Sequence, residues 1–152
     1  MTTPRYQDIQ GDQIPEAEVA PGVNARIIAG ELGGIEGAVT QVATDPKYFD
    51  LHFAADASIT VPLPAGHNAF VYVYQGRMQA GPAAARTIIE RGEIALLSQG
   101  DSLELAAAGE ASRMILVAGR PLNEPIARYG PFVMNTADEI RQAFIDYQNG
   151  RL

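Results

Sequence analysis

Between Val23 and Val117 short apolar runs alternate with polar turn signals, and within several runs the apolar period is two. That period marks half-buried strands, because successive side chains of a strand point to opposite faces. Strands are predicted over residues 25–29, 39–43, 49–54, 58–63, 69–75, 86–90, 93–97, 102–106 and 113–118. In Phe70-Val71-Tyr72-Val73-Tyr74 the aromatics share one face and the valines the other. Gly76, Gly92, Gly100 and Gly109 punctuate the runs. The pairs Gln75-Gly76, Arg91-Gly92 and Gln99-Gly100 read as strand ends at which glycine supplies a positive φ. Many short strands separated by such turns predict an all-β sandwich or barrel.

The two ends break the pattern. Residues 1–22 hold Pro4, Pro15 and Pro21 with little periodicity and read as an extended arm. Residues 119–135 hold Pro121, Pro125 and Pro131, which argue against regular structure there. A helix is predicted over 136–149. Thr136 and Glu139 form a capping box, Asp138 favours the positive end of the dipole, and Gly150 can close the helix. Ile140, Ala143, Phe144 and Tyr147 make one apolar stripe, suited to packing on the β-domain or on a partner.

Composition narrows the chemistry. With 152 residues the chain fits one domain with a sizeable core. Cysteine is absent, which removes disulfides, thiolate metal sites and cysteine nucleophiles together. The formal charge is -7, and the arginines are scattered, so direct contact with nucleic acid is not expected. No apolar run reaches the roughly 20 residues of a membrane span, and no apolar leader follows Met1. A soluble cytoplasmic protein is the expectation.

Three stretches carry a family resemblance. The run from Gly119 through Arg120, Pro121, Leu122, Asn123, Glu124 and Pro125 to Gly130-Pro131-Phe132-Val133-Met134-Asn135-Thr136, followed by the helix with Asp146 and Tyr147, resembles the C-terminal signature of pirins. The segment Pro62 to Gly76 resembles their second cupin segment, and Pro4-Arg5-Tyr6-Gln7-Asp8-Ile9 their interdomain linker. The resemblance implies a cupin-type double-stranded β-helix, a jelly-roll sandwich with one C-terminal helix. It divides the chain into a linker arm (1–22), a cupin barrel (23–118) and a C-terminal tail with its helix (119–152). Pirins are bicupins, and the resemblance implies that the N-terminal barrel, not this one, carries the metal.

The resemblance also implies where ligands would stand. A metal-bearing cupin half shows a His-x-His pair, a nearby Glu and a distant His. Counting back from Gly76 places the two histidine positions on Pro64 and Pro62 and the glutamate position on Asn68; Leu103 takes the distant histidine. Proline and leucine side chains have no donor atom. No metal and no other cofactor is therefore expected.

Two histidines remain. His67, in the turn before residues 69–75, reads as a barrel-mouth histidine, or with Asn68 as part of a vestigial pocket. His52 reads as a packed strand histidine, or with Asp50 two residues away as an acid–base couple on one face. Asp101 and Glu104 read as solvated. Glu31, Glu36, Gly33, Gly34 and Gly37 read as a flexible loop that fits no dinucleotide fingerprint. Ser98 and Ser102 have no histidine near in sequence. Phe70, Tyr72 and Tyr74 read as barrel core or interface.

Three functions follow. The first is a metal-free structural or protein-interaction half, partnered by a second copy in a homodimer or by a metal-bearing N-terminal cupin half. The second, implied by the resemblance, is a contribution to a quercetin 2,3-dioxygenase-like pirin whose metal barrel lies elsewhere. The third is small-ligand binding in the empty barrel through His67, Asn68, Tyr72, Tyr74 and His52.

Overall fold

In a computed structural model the described residues are 6–39 and 43–151. The chain forms two compact units, one up to Pro121 and one from Leu122. Among the described residues the first unit holds twelve strands: β1 (Glu16–Ala20), β2 (Val23–Ala29), β3 (Glu31–Leu32), β4 (Ile35–Glu36), β5 (Lys47–Phe53), β6 (Ser58–Pro62), β7 (Asn68–Gln75), β8 (Met78–Ala80), β9 (Thr87–Ile89), β10 (Ile94–Leu96), β11 (Ser102–Ala107) and β12 (Ser112–Gly119).

These strands build a sandwich. One sheet runs β1-β2-β5-β12-β7-β10 and the other β6-β11-β8-β9, with antiparallel pairing throughout both. The period of two places alternate side chains between the sheets. On β2, β5 and β12 the residues Val23, Ala25, Ile27, Phe49, Leu51, Phe53, Met114 and Leu116 are buried in the core, where they meet Val61, Met78, Leu103 and Leu105 of the second sheet. The expected all-β sandwich with one C-terminal helix is what forms.

Several expectations need correction. Glu16–Ala20, within the supposed arm, pairs with β2. Its exposed Glu16 and Glu18 alternate with half-buried Ala17 and Val19, a period of two too short to stand out among the prolines of the segment. The supposed flexible loop is a hairpin of β3 and β4, joined by Gly33-Gly34 with φ of 62° and 80°. Positive φ at both central residues is the two-residue turn whose twist suits a hairpin. Gly100 has no positive φ, unlike Gly76 and Gly92. Within 39–43 the described residue Val39 makes an isolated bridge to Ala29, and residues 40–42 lie outside the described ones.

The second unit begins three residues after the boundary expected at 118/119. Despite its prolines it contains a hairpin, β13 (Ala127–Tyr129) with β14 (Phe132–Met134). Pro131 sits in the turn with Gly130, and Pro121 and Pro125 precede β13, so no proline removes a ladder donor. The helix α1 (Ala137–Gln148) follows, where it was expected. Thr136 Oγ1 accepts from the Glu139 amide at 3.2 Å, and Glu139 Oε2 accepts from the Thr136 amide at 2.8 Å. At the other end the Gly150 amide donates to Tyr147 O and the Arg151 amide to Asp146 O, which together close the helix. The Phe144 ring meets Phe132 edge-on at 5.0 Å and Tyr129 at 5.6 Å, so the hairpin and helix form a small aromatic cluster. Among the described residues no helix is long and apolar enough to cross a membrane.

Candidate functional site

Strand parity decides what faces the barrel interior. On β6 and just beyond it, Val61 and Leu63 are buried while Pro62 and Pro64 are exposed. On β11, Leu103 pairs with Val61 and is buried like Leu105. Of the positions assigned to ligands, Pro62 and Pro64 point outward, Asn68 is exposed at the start of β7, and Leu103 lies inside. The inward residues beside Leu103 are Val61 and Leu63, again hydrocarbon.

Leu63 and Leu103 border a cavity of about 520 Å³. Its walls include Leu63, Leu97, Leu103, Ile89, Ala69 and Ala95, with His67, Thr87, Ser98, Gln99, Ser102 and Glu104 supplying polar atoms. His67 is 8% exposed; its Nε2 stands 3.4 Å from Asp45 Oδ2 and its amide donates to Pro64 O. Nδ1 is buried with no hydrogen-bond partner among the described residues. Gln99 Nε2 makes long 3.5 Å contacts to His67 O and Asn68 Oδ1. A first-row divalent metal needs imidazole, carboxylate or thiolate donors converging on one point. Among the described residues no group of three or more His, Cys, Asp or Glu is placed to hold one. The resemblance itself places the family's metal in the other barrel, and the described residues of this one assemble no such donor set.

The remaining candidates gather on the outer face of the larger sheet. Val71 and Val73 are fully buried, so Phe70, Tyr72 and Tyr74 face away from the core. The same parity turns Asp50 and His52 of β5 outward. β12 lies between β5 and β7, yet the Tyr74 hydroxyl reaches across it. A bulge explains this reach. Arg113 pairs with Gln75 and Met114 with Val73, which leaves Tyr74 as the unpaired extra residue and re-aims its side chain. Its hydroxyl donates to Asp50 Oδ1 at 2.6 Å and stands 3.2 Å from His52 Nε2, which is itself 3.2 Å from Asp50 Oδ1. Burial, then the hydrogen bond to Asp50 and the Asp50 charge, push the Tyr74 phenol far above its ordinary value; Arg113 and Arg26 oppose this. Tyr74 is thus held as a neutral donor that orients the Asp50–His52 couple.

The five residues expected to share one barrel pocket are divided by the sheet. His67 lines the cavity, Asn68 lies exposed near it, and Tyr72, Tyr74 and His52 stand on the opposite face. Ser98, Ser102 and Glu104 are cavity-lining residues that their sequence context did not connect to His67. The Asp50–His52 couple is formed, with Tyr74 as a third member that only the bulge brings in.

Comparison with known proteins agrees with this architecture. The Pirin C-terminal cupin domain profile matches residues 48–152. Pirin of Mus musculus is 36% identical over 152 residues, which cover 99% of this chain and 52% of that protein. A pirin-like protein of Arabidopsis thaliana is 37% identical, covering 99% of this chain and 50% of its own length. The crystal structure of quercetin 2,3-dioxygenase from Acinetobacter baumannii superposes with a TM-score of 0.81 at 32% identity, over 97% of this chain and 50% of that one. The chain therefore spans about half the length of the relatives it matches. A two-sheet cupin barrel followed by the hairpin and helix of the signature segment places this chain in the pirin family, as its C-terminal cupin domain.

Proposed function

We propose that this domain is the metal-free interaction half of a two-barrel assembly and is not catalytic by itself. The observation that carries the reading is the chemistry of the barrel interior: Val61, Leu63, Leu103 and Leu105 offer no donor atom where a metal centre would need several. Its contribution is then surface. In the second unit Ile126 is 78% exposed, Tyr129 69%, Val133 59% and Tyr147 68%. Large apolar residues left this exposed favour a covering partner. The partner is a metal-bearing cupin half or, for the chain alone, a second copy in a two-fold dimer.

The dioxygenase activity in the name of the Acinetobacter relative is stated of a chain about twice as long. It reaches this domain only through a companion barrel that supplies the metal. Two measurements on the purified chain test the proposal. Elemental analysis after incubation with ferrous, nickel or zinc ion is expected to find no stoichiometric metal, and oxygen uptake on quercetin is expected to stay at the buffer rate. Light scattering is expected to show a dimer that Tyr129→Asp converts to monomer. One tightly bound metal per chain with quercetin turnover would overturn the non-catalytic reading, and a wild-type monomer at tens of micromolar would overturn the self-association.

A further inference from the structure

The cavity at the barrel mouth has features that the interaction role leaves unused. β10 and β9 are the outermost strands of their two sheets, and residues of both line it. The space exists because Ala69, Ala80, Ala85 and Ala95 stand where larger side chains would fill it. Its volume of about 520 Å³ lies in the ordinary range for small-molecule sites, about 300–1,000 Å³. Leu96 lines the mouth and is 84% exposed, an apolar side chain left in water at the entrance. Its polar atoms come from Thr87, Ser98, Gln99, Ser102 and Glu104, and from His67, whose buried Nδ1 has no partner among the described residues.

Charge chooses the class of ligand. Among the described residues Glu104 is the one carboxylate in the lining and no lysine or arginine lines the cavity, and the whole chain carries a net charge of -7. An anion entering here would be desolvated beside a like charge with no cation to meet it. The hydrocarbon walls favour an apolar body, and the serine, threonine and glutamine groups favour a ligand with a hydrogen-bonding edge. We propose that this cavity binds a small uncharged molecule, an apolar ring bearing a hydroxyl or carbonyl group. Its lining shares no residue with the C-terminal surface invoked above, and it stands or falls independently of that role.

Benzyl alcohol and benzoate share a ring and differ in charge, so they serve as probes. Each is titrated into the full chain while the ¹³C-methyl signals of Ile89, Leu63, Leu97 and Leu103 are followed. Benzyl alcohol is expected to shift these signals saturably, with a dissociation constant of about 1 mM or tighter, and benzoate to bind at least about tenfold more weakly. Ala80→Leu, which fills the floor, is expected to abolish the saturable shifts. Ala85→Leu, at an exposed position of the mouth, is expected to weaken binding about fivefold or more. It keeps the test decisive should the core variant fail to fold. Absence of saturable shifts overturns the proposal. So does equal binding of benzoate, or binding to a well-folded Ala85→Leu chain that is unchanged from wild type.

Discussion

Replacing Tyr74 by phenylalanine deletes one oxygen and isolates what the bulge in β7 was built to hold. That oxygen donates to Asp50 Oδ1 at 2.6 Å and lies 3.2 Å from His52 Nε2. A hydrogen bond to a charged acceptor contributes about 1.5–3 kcal/mol. Here Asp50 and His52 are 21% and 26% exposed, so water replaces part of the loss, and about 1–2 kcal/mol near pH 8 is expected. The pH dependence follows from the raised phenol. Its native value lies well above the ordinary tyrosine value of about 10. Between those two values the unfolded chain releases the Tyr74 proton and the native chain keeps it. The unfolded state then binds fewer protons, so native stability falls as pH rises. One pH unit above the unfolded value this release favours unfolding by about 1.4 kcal/mol. Phenylalanine has no proton to lose, and the other tyrosines titrate in both proteins.

The wild-type advantage over Tyr74→Phe should therefore be about 1–2 kcal/mol near pH 8 and close to zero near pH 11. Urea unfolding followed by far-ultraviolet circular dichroism at several pH values measures both. Equal stabilities near pH 8 would show that the hydroxyl gains nothing from Asp50. A difference that stays constant up to pH 11 would show that the phenol is not held in its protonated form.

Two further predictions concern backbone geometry. Gly76 has φ of 66°, and a methyl there would sit 2.8 Å from Ala111 O and close against Ser112 Oγ, the buried hydroxyl that bonds the Arg77 backbone. Gly76→Ala should cost about 3 kcal/mol, against about 1 kcal/mol for Gly34→Ala, where φ is 80° and the space is open; equal losses in urea unfolding would refute the close approach. Thr136→Ala removes the helix cap and should cost α1 about 1 kcal/mol, seen as faster hydrogen exchange of the Glu139 amide, and an unchanged rate would refute the capping bond.

The parts of the fold legible in the sequence are those in which one face is buried and the other is not. Val71 and Val73 against Tyr72 and Tyr74, or Leu51 and Phe53 against Asp50 and His52, write the period of two directly into the residue types. β8 has three residues and β3 and β4 two each, too short for any period to show. β13 and β14 were hidden by prolines that flank the strands without entering them. The aromatic stripe of the last helix was legible for the opposite reason: its Phe144 and Tyr147 recur at helical spacing beside a capping box.

The candidate site divides along the same line. Asp50 and His52 could be paired from sequence because a spacing of two puts them on one face. Tyr74 could not be added to them. A bulge changes which residues oppose each other and leaves no mark in residue type, so only coordinates bring its hydroxyl across β12. The expected metal positions depend on a count that strand parity does not fix. Counting back from Gly76 crosses the loop of Ala65, Gly66 and His67, whose length strand parity does not constrain. The alternation of Ile59, Val61 and Leu63 with Thr60, Pro62 and Pro64 already places the prolines outside and the aliphatics inside. Shifting the count by one exchanges proline for leucine and valine at the two histidine positions, and none of these side chains carries a lone pair. The proposal of a metal-free barrel therefore rests on the residue types at those two positions and not on which of the two registers is counted.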